Sequence, residues 1–395
     1  MSKLTIEQLE LHEKRVFLRA DLNAPLEGDK VGDDTRLAAV VPTIRHALSH
    51  GAAVVLASHL GRPKGRRDPA YSLAPVAERM AALLGQPVPL APDCVGADVS
   101  ALAKALAPGQ VLLLENLRFH PEEEANDDGF ARELAALADC YVNDAFAAAH
   151  RAHASIAAIT QHLHPAAAGL LMKSELEALG RILEAPKRPL VAILGGAKVS
   201  DKVTLVEHLL ERVNALAIGG GMAFTFLHAL GHGVGRSLLE ADRVETARHV
   251  LDAARRRGVQ VVLPIDAIVA PGLDAPAGRA VSIREIPADQ MGLDIGPRTV
   301  ERFASVVKSA GTVVWNGPMG VFEKTPFAAG TLGVARAVAE GSAFSVIGGG
   351  DTVAAVNQAG VADRIGYIST AGGAFLEFLE GRTLPGVEAL TEAPR

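Results

Sequence analysis

The sequence predicts an α/β fold of two domains, each built on a parallel β-sheet that helices cover on both faces. Its 395 residues exceed what one ordinary hydrophobic core accommodates, so two domains are expected. Short apolar runs of strand length alternate with segments of helical period along the chain, which is typical of parallel sheets. A helical run that ends in a proline-rich turn near residue 185 marks the predicted boundary between the two halves.

Composition restricts the class of protein. The formal net charge of −6 at pH 7 argues against a general binder of nucleic acid or membrane surfaces. The cysteines Cys94 and Cys140 lack metal-ligand spacing and are too few for a disulfide framework, which fits a reducing compartment. The N-terminal residues carry charges early and lack the apolar segment of a secretory signal. We therefore expect a cytoplasmic protein without a nucleic-acid or membrane partner.

The first half alternates strand and helix patterns. Its strand candidates are Arg15–Arg19, Ala53–Ala57, Val111–Leu114 and Cys140–Asn143. Its helical segments include Arg36–His50, Ser72–Leu84 and Phe130–Ala138. In parallel sheets of this kind, ligands bind beyond the carboxyl ends of the strands, so the residue types that follow each strand are the candidates for a site.

Arginine, histidine and short polar residues follow these strands. The candidates are Asp21, Asn23, Arg36, His59, Arg62, Arg118 and Arg151. Arginine binds carboxylate or phosphate through two parallel hydrogen bonds, so this set predicts a site for a small polyanion. Any one of these arginines is as easily explained as a solvated loop residue, but their recurrence after successive strands favours a common site.

Histidine and acidic residues near these candidates do not indicate a metal site. The residues His59, His150 and His153 favour anion contact or a place in the core over metal binding, because no acid lies at a suitable spacing. The acidic run Glu122–Glu124 is predicted to be a solvated loop face. The segment Ala166–Leu183 has a helical apolar stripe and is predicted to connect the domains.

The second half repeats the alternation, but with different residues after the strands. Its strand candidates are Leu190–Leu194, Ala215–Ile218, Val261–Leu263, Thr312–Trp315, Phe344–Ile347 and Gly366–Ile368. Glycine dominates the loops that follow them and arginine is missing. Glycine permits close approach of backbone to a ligand, so we expect a nucleotide site here, in contrast to the acid-binding site of the first half.

The stretch 193–203, which reads I-L-G-G-A-K-V-S-D-K-V, is central to this prediction. It predicts a strand, a tight turn and a helix from Asp201, whose N-terminal N–H groups favour an anion. A helix would place Lys198 and Lys202 on one face. The alternative is an ordinary glycine-rich turn followed by a solvated basic helix. Neither a Walker A loop nor a G-x-G-x-x-G fingerprint is present, which disfavours an NAD-dependent dehydrogenase.

Further candidates lie near the end of the chain. Asp351 follows three glycines and is suited to holding Mg²⁺ beside phosphates, although an N-cap role is compatible with the same pattern. Glu323 is read either as a ribose contact or as plain surface charge. Thr370, Gly372 and Gly373 are predicted to open the last helix with a second N-terminus suited to anions.

Taken together with the motifs around them, these residues show that the sequence resembles the phosphoglycerate kinase family along nearly its whole length. The matching motifs are R-A-D-L-N-A-P at 19–25, S-H-L-G-R-P at 58–63, L-E-N-L-R-F at 114–119, V-N-D-A-F at 142–146, H-R-A-H-A-S at 150–155, I-L-G-G-A-K-V-S-D-K at 193–202, W-N-G-P-M-G-V-F-E at 315–323 and G-G-G-D-T at 348–352. The resemblance implies two Rossmann-like three-layer α/β/α domains that face each other across a cleft and are joined by a hinge helix. It also implies reversible phosphoryl transfer in glycolysis, from 1,3-bisphosphoglycerate and ADP to 3-phosphoglycerate and ATP, with Mg²⁺.

The resemblance also implies domain limits and an oligomeric state. Residues 1–170 would bind phosphoglycerate, 171–185 would form the interdomain helix, 186–380 would bind nucleotide, and 381–395 would return to the first domain. The protein is expected to be a monomer.

Residue roles follow from the same resemblance. Phosphoglycerate binding is assigned to Asp21, Asn23, Arg36, His59, Arg62, Arg118 and Arg151. Nucleotide binding is assigned to Gly196, Lys198, Lys202, Gly220, Asn316, Glu323, Gly349, Gly350, Asp351 and Thr352. Asp351 would contact the metal. Arg36, Lys198, Gly350 and Gly373 would act at the transferring group.

The expected mechanism needs no general base, because acceptor and leaving group are both anions. Domain closure and neutralisation of charge would carry catalysis. The family pattern differs here at Ala147 and Ala148, and at Ala371, where glycine is usual; Ala371 is expected to shift the last-helix loop slightly and so to affect rate. A non-catalytic nucleotide-binding scaffold is the competing hypothesis.

Overall fold

The computed structural model describes residues 3–394, so the parts of the predicted domains at residues 1, 2 and 395 lie outside it. Contacts divide the chain into two compact units. The first contains the residues up to Glu177 together with those from Thr383 onward, and the second is Ala178–Arg382. The division falls inside the helix Leu170–Leu183, the segment that the sequence analysis treated as the connector.

The first unit is built on a parallel five-stranded sheet. The strands of the whole unit are β1 (Arg15–Arg19), β2 (Leu26–Glu27), β3 (Lys30–Val31), β4 (Ala53–Ala57), β5 (Val111–Leu113), β6 (Cys140–Asn143) and β7 (Ala166–Ala168). The order β5-β4-β1-β6-β7 is parallel throughout, while β2 and β3 form a separate antiparallel pair. Strand β4 is buried at every position, because apolar side chains of a central strand are covered on both faces.

Helices cover this sheet. They are α1 (Thr35–Ser49), α2 (Ala74–Leu84), α3 (Ala97–Ala105), α4 (Pro121–Glu124), α5 (Asp128–Ala135) and α6 (Leu170–Leu183), with α14 (Pro385–Glu388) from the C-terminal segment. The core beneath α1 contains Val16, Leu18, Leu37, Ile44 and Leu56, all fully buried. Helix α2 ends at Gly85, whose φ of 74° is the left-handed conformation that commonly terminates helices.

The second unit has a six-stranded parallel sheet and a smaller antiparallel sheet. Its strands are β8 (Leu190–Leu194), β9 (Ala215–Ile218), β10 (Gln260–Val262), β11 (Asp266–Ala270), β12 (Arg279–Ser282), β13 (Met291–Ile295), β14 (Thr312–Asn316), β15 (Phe344–Gly348) and β16 (Tyr367–Ile368). The parallel order is β10-β9-β8-β14-β15-β16, and the antiparallel order is β12-β11-β13. Its helices are α7 (Val203–Leu210), α8 (Met222–Ala229), α9 (Val244–Arg257), α10 (Pro297–Lys308), α11 (Ala329–Glu340), α12 (Gly350–Gln358) and α13 (Gly373–Leu379).

The predicted strands are confirmed to within a residue, but one predicted helix begins too early and one sheet was not predicted. Ala166–Ala168 is strand β7 and not the start of the connecting helix, because its backbone pairs with β6 from Tyr141 to Asn143. The antiparallel sheet β11–β13 was not expected at all. A loop rich in glycine and proline joins β11 to β12, and none of the three strands alternates apolar and polar residues strictly, so they carry little periodic signal. Among the described residues, no helix is long and apolar enough to span a membrane.

Candidate functional site

The predicted acid-binding residues of the first unit follow strands whose carboxyl ends lie at one edge of the sheet. The parallel pairing of β1 with β4 and β6, and of β4 with β5, requires this arrangement. The segments that begin at Ala20, Ser58, Leu114 and Asp144 therefore emerge together. This is the edge at which open α/β sheets bind ligands.

A series of hydrogen bonds connects five residues at this edge of the sheet. Arg36, in the first turn of α1, donates from NH1 to Asp21 Oδ2 at 2.9 Å and to the Asn23 carbonyl at 3.2 Å. Asn23 Oδ1 accepts from Gly61 N at 2.9 Å. The Gly61 carbonyl in turn accepts from Arg118 NH1 at 2.9 Å. The structure thus brings Asp21, Asn23, Arg36 and Arg118 together, as the sequence predicted.

Gly61 lies in the middle of this series of hydrogen bonds, and a side chain there would collide with Tyr71. Its φ is +60°, and a Cβ atom there would lie 2.4 Å from the ring of Tyr71. A side chain would therefore displace the peptide groups on which Asn23 and Arg118 depend.

Arg118 is nearly buried, at 7% exposure, and its charge is incompletely paired. Its Nε lies 3.3 Å from Glu124 Oε1 but makes no hydrogen bond with acceptable geometry among the described residues. Burial lowers the pKa of the guanidinium, and the nearby Arg19 and Arg151 lower it further. A buried cation with a free donor is suited to an anionic ligand.

The remaining predicted residues differ in exposure. Arg62 and Arg151 are exposed, and Arg151 Nε donates to His150 Nε2 at 3.1 Å. His59 and His153 are buried at 6% exposure, which agrees with a place in the core, while their contact with an anion stays a prediction. Burial lowers the pKa of His153 to about 4, so this ring is neutral at pH 7.

The prediction for the acidic run 122–124 is wrong at its centre. Glu123 is fully buried. Its carboxylate accepts from Ser155 Oγ at 2.6 Å and from Ser155 N at 2.9 Å. Sequence alone gave no signal for this, because the pairing joins residues 32 positions apart.

In the second unit, glycine loops after β8 and β9 lie against each other. Gly196 N donates to the Pro318 carbonyl at 2.9 Å, and Gly220 N donates to the Met319 carbonyl at 3.0 Å. Gly220 has φ +66°, and a Cβ atom there would lie 2.7 Å from Gly196 N. Only glycine permits this packing of backbone on backbone.

The two predicted lysines do not share a helix face. Helix α7 begins at Val203, so Lys202 is its N-cap and Lys198 lies in the preceding loop. The helix starts late because residues 196–201 form turns that hydrogen-bond elsewhere, including Val199 and Ser200 N–H groups to the Glu240 carboxylate. Lys198 is exposed. The pairing of the two lysines by helical spacing is therefore wrong.

Lys202 is largely buried and contacts a second predicted residue. Its Nζ donates to Asn316 Oδ1, and Asn316 Nδ2 donates to the Gly348 carbonyl at 2.7 Å. Burial lowers the pKa of Lys202 to about 8. At pH 7 the ammonium therefore remains mostly charged beside the carboxyl ends of β14 and β15.

The loop before α12 carries the predicted metal residue. Gly349, with φ +94°, is the N-cap of α12, so the reading of Asp351 as N-cap is wrong. Asp351 lies exposed in the first turn. Thr352 is fully buried, and its Oγ1 accepts from Gly317 N at 2.7 Å. Gly350 is exposed with open space around its Cα.

A cavity of about 400 Å³ lies within the second unit. Four predicted residues line it: Gly196, Gly220, Glu323 and Asp351. Its remaining wall is mainly apolar and was missed by the sequence analysis: Phe224, Leu238, Leu273, Met291, Leu293 and Val321. Two of these come from β13, so the unpredicted antiparallel sheet supplies part of the wall.

The last predicted helix, α13, is only seven residues long, and it begins at Gly373 as expected. Ala371 is buried and is not among the residues with positive φ. Alanine therefore occupies this position without left-handed strain, while the expected shift of the loop and its effect on rate stay predictions. Thr370 and Gly372 lie directly before α13.

One group of possible metal ligands lies apart from Asp351 in the described part of the chain. It comprises Asp93, Cys94 and His120. The Asp93 Oδ1 already accepts from His120 Nε2 at 2.7 Å and from Cys94 N at 2.7 Å, and Arg67 lies 3.9 Å from Oδ2. The group is thus satisfied by its own hydrogen bonds.

Comparison with known proteins decides the family. The family profile described as phosphoglycerate kinase matches residues 6–382. The chain belongs to the phosphoglycerate kinase family. It is 56% identical over 393 residues to the phosphoglycerate kinase of Moorella thermoacetica, covering 99% of this chain and 100% of that one. It is also 56% identical over 403 residues to that of Acidobacterium capsulatum, with 99% and 100% coverage.

Solved structures give the same result. The structure of phosphoglycerate kinase from Coxiella burnetii superposes with a TM-score of 0.92 at 43% identity, over 98% of both chains. That from Pyrococcus horikoshii superposes with a TM-score of 0.81 at 35% identity, again over 98% of both chains. The predicted family, the three-layer α/β/α fold with parallel sheets and the kinase activity of a glycolytic phosphotransferase are confirmed, and the dehydrogenase alternative is excluded.

Proposed function

We propose that the chain transfers a phosphoryl group reversibly between 1,3-bisphosphoglycerate with ADP and 3-phosphoglycerate with ATP, as a cytoplasmic monomer. The observation that carries the assignment of sites is the segregation of chemistry between the two units. Buried and exposed arginines lie at one sheet edge in the first unit, whereas glycine loops, Lys202 and a largely apolar cavity lie in the second. An acidic metabolite suits the former, and a nucleotide suits the latter.

On the acid side, Arg36 would contact the transferring group. Its ion pair with Asp21 holds the guanidinium at the sheet edge while leaving it 39% exposed. Asp21, Asn23, His59, Arg62, Arg118 and Arg151 would bind the rest of phosphoglycerate. Because Arg118 has a buried Nε without a hydrogen bond among the described residues, an anion there would complete its pairing.

On the nucleotide side, the cavity would receive the nucleoside, with Glu323 and Asn316 as nucleoside-side contacts. Gly196, Gly220, Gly349 and Gly350 would let backbone approach the phosphates. Lys202 would neutralise phosphate charge, and the exposed Lys198 would follow the phosphoryl group in transfer. Thr352 and Gly373 would complete the phosphate end of the site.

Mg²⁺ fits the residues that are present. Asp351 is an exposed carboxylate that lines the cavity, and Mg²⁺ in kinases is held by one or two carboxylates together with phosphate oxygens. Asp351 would hold the ion, which when bound neutralises charge on the nucleotide phosphates. Catalysis by the chain itself then consists of positioning and charge stabilisation by Arg36, Lys198 and backbone N–H groups. The proposal includes the domain closure expected from the sequence, because transfer requires both substrates to meet without water.

A coupled assay tests the proposal. The purified chain is mixed with 3-phosphoglycerate and MgATP, and glyceraldehyde-3-phosphate dehydrogenase with NADH reports the product. We expect NADH loss that needs both substrates, with kcat reduced at least tenfold in Arg36→Ala and ADP affinity unchanged. Arg45→Ala, on the same helix with its NH2 bonded to the Leu83 carbonyl, is the matched control. NADH loss undiminished in Arg36→Ala, or a large loss of ADP binding in that variant, contradicts the assignment.

A further inference from the structure

Arg19, the last residue of β1, is fully buried and all three of its guanidinium nitrogens are used. Its NH1 donates to the Ala20 carbonyl. Its Nε donates to Ser155 Oγ at 2.9 Å, and its NH2 lies 3.2 Å from His59 Nδ1. The arginine therefore joins the carboxyl end of β1 to His59, which follows β4, and to Ser155.

The contact with His59 has only one chemical interpretation. Arginine has five N–H donors and no acceptor, and it does not deprotonate in proteins. Nδ1 of His59 must therefore be the acceptor and cannot carry a hydrogen. A neutral imidazole with an unprotonated Nδ1 carries its hydrogen on Nε2. His59 Nε2 makes no hydrogen bond to another described residue.

The surroundings of His59 also oppose the doubly protonated ring. The charged or titratable groups around it are Arg19, Arg36, Arg118 and His153. Burial, followed by Arg19 and Arg118, holds the pKa of His59 well below its ordinary value of 6.5. The ring is thus neutral at pH 7, and the positive charge of this sheet edge comes from its arginines.

The other side of Arg19 is fixed by a buried carboxylate. Ser155 Oγ accepts from Arg19 and donates to Glu123 Oε1 at 2.6 Å, while Ser155 N donates to Glu123 Oε2 at 2.9 Å. Glu123 is fully buried, so the Arg19 charge is balanced through one hydroxyl. A charge pair held in this way keeps the guanidinium in one orientation, because any rotation would leave a buried charge without its hydrogen bond.

We propose that Arg19 is a positioning residue that holds His59 as the neutral Nε2–H tautomer, so that His59 offers the acidic substrate a hydrogen-bond donor and not a cation. The proposal rests on the proposed function for the place of His59 in the substrate site. From the sequence alone, Arg19 has no expected role and Glu123 is expected to be solvated. The neutral Nε2–H donor would orient the substrate through a directional hydrogen bond, while the flanking arginines would supply the positive charge.

The first experiment is independent of activity. The protein is labelled with 15N histidine, and long-range 1H–15N correlation spectra are recorded without substrate at pH 7. His59→Gln identifies the His59 signals among the 13 histidines. We expect the pattern of a neutral ring with hydrogen on Nε2, unchanged on acidification to pH 5.5. An imidazolium, or hydrogen on Nδ1, overturns the proposal.

Arg19→Met extends the same measurement by removing the donor while keeping much of the side-chain volume. We expect both tautomers of His59 to be populated in this variant. A spectrum unchanged from the parent shows that Arg19 does not set the tautomer. If the variant does not fold, because the buried Glu123 charge loses the cation that balances it through Ser155, the parent spectrum still tests the tautomer of His59, and hydrogen on Nδ1 there still overturns the proposal.

Kinetics test what the tautomer does. A Gln side chain places an amide N–H₂ near the position of Nε2, whereas Asn places it near Nδ1. We expect KM for 3-phosphoglycerate to rise at least tenfold more in His59→Asn than in His59→Gln, with KM for MgATP unchanged in both. Equal losses contradict a directional donor. Absence of turnover in the parent protein refutes the proposed function but leaves the tautomer result intact, so the two failures are distinguishable.

Discussion

The buried Asp144 predicts a substitution whose effect on stability becomes more favourable as the pH rises. Asp144 follows β6 directly and is fully buried. Its Oδ1 accepts from Met172 N, in the first turn of α6, at 3.0 Å. Its Oδ2 is buried without a hydrogen-bond donor among the described residues. Burial dominates, and it raises the pKa from 3.8 to about 6 in spite of the hydrogen bonds that lower it.

The direction of the pH dependence follows from the linkage between protonation of Asp144 and folding. Because the folded pKa is raised, the folded state favours the protonated carboxyl, and the stability that this group contributes is complete below pH 3.8 and is lost as the pH rises through about 6. Each pKa unit corresponds to about 1.4 kcal/mol, so the rise from 3.8 to about 6 amounts to about 3 kcal/mol at pH 8. Asp144→Asn keeps one acceptor for Met172 N and removes the buried charge. Its amide N–H₂ adds a cost that does not vary with pH, so the effect of the charge is measured by the pH dependence.

Thermal unfolding without substrates, from pH 4 to pH 8, measures the effect. We expect the Tm of Asp144→Asn, taken relative to the parent, to be about 6–12 °C higher at pH 8 than at pH 4. The matched control is Asp139→Asn, because Asp139 pairs with Arg15 and its pKa is lowered. That variant should be less stable than the parent at pH 8. A gain for Asp144→Asn that is the same at both ends of the range refutes the reasoning.

Three further results are expected. Gly61→Ala should lower Tm and raise KM for 3-phosphoglycerate, because the new Cβ atom would collide with Tyr71. The control is Gly85→Ala, where φ is also positive but the Cβ atom would lie in open space; it should lower Tm less and leave KM unchanged. Thr352→Val should lower the free energy of unfolding in urea by about 1–3 kcal/mol, because it leaves the Gly317 N–H buried and unpaired. Thr352→Ser should retain most of the parent stability. An unchanged free energy of unfolding in the Val variant contradicts the role of this hydrogen bond. The ADP dissociation constant should rise up to about tenfold from pH 7 to pH 9, because Lys202, with a pKa of about 8, loses its proton over this range. Lys202→Met should abolish this pH dependence, whereas the control Lys308→Met should keep it. A dissociation constant that does not change with pH in the parent protein excludes Lys202 from phosphate binding.

The sequence predicted the parts of the site that local patterns determine. Parallel strands are buried on both faces and appear as apolar runs, so Arg15–Arg19 and Leu190–Leu194 were located to the residue. Since parallel strands end at one edge, the residues after them could be expected to meet, and Asp21, Arg36 and Arg118 do so. Neither conclusion requires knowledge of which strands are neighbours.

Only the tertiary structure decided how those residues are held and in which protonation state. Glu123 and Ser155, 32 positions apart, form a buried pair, and Arg19 selects the hydrogen position on His59 across 40 positions. The turn that delays α7 depends on Glu240, 40 positions from Ser200. Part of the apolar wall of the cavity, Met291 and Leu293, comes from an antiparallel sheet whose strands have no distinct period. Burial and hydrogen bonding between distant residues set these features, because the cost of an unpaired buried charge depends on what surrounds it and not on its neighbours in sequence.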